Sequence, residues 1–98
     1  MFESGNWIVA PYKEKKLYDS YIISIDNTDS IIELNTTAYT ILNIVEGFAD
    51  CPFCIDDIIS KMKAWFDLSS ANNDELKSDV QDILCFFVNC KLIYRKEQ

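Results

Sequence analysis

The clearest change of period in the chain lies at residues 30–47. Ser30, Ile31, Ile32, Glu33 and Leu34 are rich in β-branched types and read as a short strand. From Asn35 the apolar positions switch to helical spacing, at Ala38, Ile41, Leu42 and Val45. Asn35 is a strong N-cap, because its side-chain oxygen can accept an orphan N–H from the first turn. Gly47 is the expected stop, in the left-handed conformation that ends many helices. The pattern therefore predicts a strand over 30–34 and a helix over 36–46, joined at a corner that fixes the geometry of both.

The flanking segments build outward from that corner. Tyr18, Tyr21, Ile22, Ile23 and Ile25 predict a strand over 17–26. Asp26, Asn27, Thr28 and Asp29 are turn formers, so this strand and the next make a hairpin. After a loop, Ile55, Ile58, Ile59, Met62 and the pair Trp65/Phe66 share one face of a second helix over 55–66. Asp56 and Asp57 near its start suit the helix dipole. Residues 69–73 read as a polar linker. A third helix over 74–89 carries the stripe Leu76, Val80, Ile83, Leu84 and Phe87, and residues 91–95 form a last strand-like piece. Before all of these, residues 7–10 are apolar and stopped by Pro11, which fits an edge strand or a packed tail. Residues 13–16 read as a solvated charge run, and residues 1–16 as a mobile or edge-strand N-terminal segment. The order β-β-α-α-α-β predicts an α+β fold. It describes a winged helix-turn-helix with a small antiparallel β-sheet packed on a three-helix bundle.

Composition narrows the chemistry. Ninety-eight residues, 49% of them hydrophobic, make one small domain. A chain of this size buries roughly 60–65% of its unfolded surface. The net charge of −7 argues against nucleic acid as a partner, since phosphate binding needs clustered Lys and Arg. Histidine is absent, which removes the commonest general base and metal ligand. Two glycines cannot build a phosphate-cradling loop. No apolar run is long enough for a membrane span and no signal peptide is recognisable, so a cytoplasmic protein with reduced thiols is expected.

The four cysteines are the main chemical temptation. Cys51 and Cys54 form a C-x-x-C, and Cys85 and Cys90 follow in the third helix. Antiparallel second and third helices would make a four-thiolate zinc site conceivable. However, positions five apart lie about 140° apart around a helix. A thioredoxin-like role would need a βαβ context that this order does not provide. The expectation is no metal and no cofactor, with Cys51, Cys54, Cys85 and Cys90 as the alternative ligand set. Asp74, Glu75, Asp79 and Asp82 read either as a solvated helix face or as a contact for a basic peptide. Phe86 lies off the stripe and is a candidate for an exposed contact.

Taken as an ordered set, these residues resemble a family. The run Ile31-Ile32-Glu33-Leu34-Asn35-Thr36-Thr37-Ala38, then Ile41-Leu42 and Glu46-Gly47, resembles the signature of PqqD-like proteins, the RiPP precursor peptide recognition elements (RRE). The likeness continues through Ile55-Asp56-Asp57-Ile58-Ile59 and Asp79-Val80-Gln81-Asp82-Ile83-Leu84. Lys91-Leu92-Ile93 is similar to the family's closing Gly-Leu-apolar triplet, with Lys in place of Gly. The resemblance covers roughly residues 17–95 and implies a single PqqD-like domain over 1–98. It implies a non-enzymatic peptide chaperone that binds the leader of a ribosomally made precursor by β-strand addition. The leader is then presented to a modifying enzyme such as a radical SAM protein, cyclodehydratase, dehydratase or leader peptidase. Carried over, the peptide-binding set is Ile31, Ile32, Glu33 and Leu34 on the strand, with Asp79, Val80, Ile83, Leu84 and Phe87 on the third helix. Neither nucleic acid nor membrane is implied as a partner. The alternatives are a winged-helix regulatory or protein-interaction domain and a Cys-based zinc or redox module. The acidic third helix disfavours the regulator, since it would repel phosphate.

Overall fold

The structure, a computed structural model, describes residues 5–26, 28–48, 51–66 and 73–95. The start at 1–4, Asn27 of the hairpin turn, residues 69–72 of the linker, the tail at 96–98 and the side chains of Trp65 and Phe66 lie outside the described residues. Eight elements follow one another: β1 (Trp7–Val9), β2 (Tyr12–Lys16), β3 (Ser20–Ile25), β4 (Ile31–Asn35), α1 (Thr36–Gly47), α2 (Ile55–Phe66), α3 (Asn73–Asn89) and β5 (Ile93–Arg95). The protein is a small α+β domain of three helices and two antiparallel sheets.

The corner forms as its residues dictate. Asn35 is extended, with φ −75° and ψ 175°, and its Oδ1 accepts the Ala38 N–H at 2.8 Å. The helix that follows buries Ala38, Thr40, Ile41, Leu42, Ile44 and Val45. That is more than one face of a helix, because α1 is central: it packs on β1, β3 and β4 and also on α2 and α3. The buried Thr40 hydroxyl is satisfied by donating to the Thr36 carbonyl at 2.8 Å.

Gly47 does not play its expected part. It is the last residue of α1 and has no left-handed φ. The helix closes instead on a tight turn in which the Phe48 N–H donates to the Val45 carbonyl at 3.0 Å. The left-handed position falls at the end of α3, where Lys91 has φ 67°. Around it the Leu92 N–H reaches the Phe87 carbonyl at 2.9 Å and the Lys91 N–H reaches the Val88 carbonyl at 3.1 Å. These are the two bonds of a Schellman cap, and the fully buried pair Phe87 and Leu92 supplies its apolar contact. Lys91 is thus a residue at which the chain demands a positive φ.

Within the N-terminal segment residues 7–9 and 12–16 are strand, the edge-strand reading of the two that the sequence left open, and the charge run at 13–16 keeps its side chains in solvent. β1 pairs antiparallel with β5, with Trp7 opposite Arg95 and Val9 opposite Ile93. β2 pairs antiparallel with β3, and β3 with β4, giving the order β2-β3-β4. Residues 13–16 are therefore paired backbone with exposed side chains. Among the described residues the chain has one strand more than the order expected from the sequence even when residues 7–10 are counted.

Ile55, Ile58, Ile59 and Met62 of α2 are buried as their spacing requires. Cys54 precedes that helix, and its N–H donates to the Asp57 carboxylate at 2.9 Å, the returning half of a capping box. Among the described residues no helix is long and apolar enough to cross a membrane.

Candidate functional site

Among the described residues β4 has a neighbour on one side only. β3 occupies one edge, and the sheet ends at β4 on the other. The alternation of β4 is legible in its burial. Leu34 is buried and Ile32 half-buried on the face toward α1, while Ile31 and Glu33 are exposed on the outer face. Ile31 keeps 68% of its surface in water, which is unusual for an isoleucine in a strand. Glu33 has no hydrogen bond or ion pair among the described residues.

The opposite edge of the same sheet is different in kind. β2 carries Lys13, Glu14, Lys15 and Lys16 in its five residues. Charges of this density are how native sheets discourage further pairing. β4 carries a single charge in five positions. Of the two edges, β4 is the one left receptive.

The inner face of β2 is bound to α1 by polar contacts. The Tyr12 hydroxyl donates to Glu46 and the Tyr39 hydroxyl donates to Glu14. Tyr39 also stacks on Tyr21 with ring centroids 3.7 Å apart, and the Lys16 ammonium lies 5.9 Å from the Tyr21 centroid. Burial, then the bond to Glu46, hold the Tyr12 phenol well above its ordinary range. The bond to Glu14, then burial, push Tyr39 up to about 12. A cleft of about 580 Å³ opens on this side, lined by Trp7, Val9, Tyr12, Glu14, Val45 and Glu46 among others.

The helix half of the expected peptide-binding set divides. Val80, Leu84 and Phe87 are fully buried and belong to the core, as does Leu34 from the strand. Their side chains are covered in this structure. Asp79 is exposed and Ile83 half-buried. Glu75, Asp79, Asp82, Phe86 and Asn89 form the outward stripe of α3, with Phe86 44% exposed. Strand and helix are not one packed surface: among the described residues no Cα of β4 lies within 8 Å of one in α3. The sheet reaches α3 through α1. Sequence reasoning missed the contrast between the two sheet edges. The charge density of residues 13–16 was its visible signal.

The cysteines show no shared site. All four are free, Cys51 exposed and the others half-buried. Cys85 packs partly against the core. Cys90 does so too; its thiol donates to the Phe87 carbonyl at 3.5 Å, and burial pushes its pKa up. Among the described residues no group of three or more His, Cys, Asp or Glu is placed to hold a metal ion.

No protein-family profile, curated protein or solved structure matches the chain.

Proposed function

We propose that the chain is a peptide-binding module of the winged helix-turn-helix type. In this reading it takes up the leader region of a ribosomally made precursor by strand addition at β4 and hands it to a modifying enzyme or leader peptidase. The observation that carries the reading is the open edge of β4, with the exposed Ile31 beside it and one charge along it, against the heavily charged edge of β2. Backbone bonds at such an edge provide affinity with little demand on sequence, and alternate side chains provide selectivity. The resemblance of residues 31–47 and 79–93 to recognition elements of this kind supports the same assignment. α1 then serves as a brace that holds β4 in place through the Asn35 cap. The acidic outward stripe of α3, with Asp79 and Asp82, favours a peptide over a nucleic acid, because phosphate would be repelled there.

The test is a calorimetric titration of the full chain with the leader peptide encoded beside its gene. A second titration uses the same leader with proline at the pairing positions, which removes backbone donors. The reading predicts micromolar binding by the first and at least a tenfold loss with the second. Equal binding of both would contradict strand addition.

A further inference from the structure

The phase of the β3–β4 ladder decides which groups the open edge offers. The Ile25 N–H donates to the Ser30 carbonyl at 3.2 Å, and the register places Ile23 opposite Ile32 and Tyr21 opposite Leu34. In an antiparallel ladder, residues two apart point their N–H and C=O groups to the same neighbour. Ser30, Ile32 and Leu34 therefore turn toward β3. The β2 side gives the same phase independently: the Asp26 N–H donates to the Pro11 carbonyl at 2.9 Å, so the even-numbered residues of β3 face β2 and its odd-numbered ones face β4. Ile31 and Glu33 are left to direct their backbone groups away from the sheet, at the open edge.

These two residues also share the outer face. A strand that adds antiparallel to β4 must exchange its bonds with Ile31 and Glu33, and the residues that do so place their side chains on that same face. One lies across from an unpaired carboxylate and the other across from an isoleucine with 68% of its surface exposed. The residue between them turns inward, beside the half-buried Ile32.

We infer that the β4 edge selects an extended peptide carrying a basic residue, any residue and an apolar residue in that order from N to C. The basic side chain pairs with Glu33 and the apolar one covers Ile31. The inference rests on the proposed strand addition and names its recognition code. The net charge of −7 favours a cationic peptide in the same sense. The order follows from direction: an antiparallel strand meets Glu33 first and Ile31 two residues later.

The probes are three acetylated, amidated nine-residue peptides in a threonine host, with Arg-Thr-Ile, Glu-Thr-Ile or Ile-Thr-Arg at the centre. Each is titrated into the 15N-labelled full chain and into E33R, and affinities are read from amide shifts. The expected result is that the wild type prefers Arg-Thr-Ile over Glu-Thr-Ile by about fivefold, the range of a cross-strand charge pair. E33R inverts that preference, and Ile-Thr-Arg binds the wild type more weakly than Arg-Thr-Ile. Shifts at Ile31 and Glu33 with equal affinities for all three peptides overturn the code and leave strand addition standing. Absence of shifts at those amides with every peptide at millimolar concentration overturns strand addition itself. Both positions are exposed, so E33R and a confirmatory I31S fold as the wild type does.

Discussion

The hydroxyl of Tyr12 donates to the carboxylate of Glu46, thirty-four residues further along the chain. With Tyr39 donating to Glu14, it fastens a strand of almost wholly charged side chains to the central helix. Both phenols have folded-state pKa values above their ordinary 10.0, that of Tyr39 at about 12. A raised phenol pKa contributes stability that is complete below the unfolded value and is lost as pH climbs through the folded one. The double variant Tyr12→Phe/Tyr39→Phe should be less stable than the wild type by a constant margin below about pH 10. That margin should shrink between pH 10 and 12. Urea unfolding followed by circular dichroism across that range measures it, and a margin independent of pH would refute the latch.

Lys91 holds the left-handed turn after α3 with a side chain that strains there. Replacing it by glycine relieves a penalty of about 1 kcal/mol. Lys91→Gly should raise the melting temperature by about 4–8 °C for a domain of this size. Thermal unfolding checks the sign and the size.

Gly47 predicts the opposite substitution. It is the last residue of α1, has no left-handed φ, and a methyl group built on it meets nothing within 4 Å. Gly47→Ala should therefore stabilise the protein by about 0.5 kcal/mol, the lower end of the difference between the two residues in a helix. If Gly47 were the left-handed stop, the same substitution would destabilise.

Asn35 is the joint between β4 and α1. Asn35→Ala removes the bond to the Ala38 N–H and should cost about 1 kcal/mol in chemical denaturation. Asn35→Asp should recover most of it, because a carboxylate caps equally well and suits the positive end of the helix.

Where burial organises a segment, its periodicity announced it. The β3–β4 hairpin, the Asn35 cap and the buried stripes of α1 and α2 were all legible. β2 was not, because its inner face is held by side-chain bonds to Glu46 and by Glu14 to Tyr39, partners distant in sequence that no local pattern reveals. The left-handed turn was assigned to Gly47 by residue type, yet it falls on Lys91, where the Schellman bonds and the buried Phe87–Leu92 contact impose it. In the candidate site, alternation separated Ile31 and Glu33 from Ile32 and Leu34. Helical periodicity could not separate contact residues from core, because one stripe carries both the fully buried Val80, Leu84 and Phe87 and the half-buried Leu76 and Ile83.

Amide hydrogen exchange on the peptide-saturated protein tests the central claim most directly. The Ile32 and Leu34 amides turn toward β3 and should be protected with or without peptide. The Ile31 and Glu33 amides face the open edge and should exchange rapidly in the free protein, then slow by at least tenfold when the peptide is bound. Saturating peptide that leaves the exchange of Ile31 and Glu33 unchanged would contradict the account.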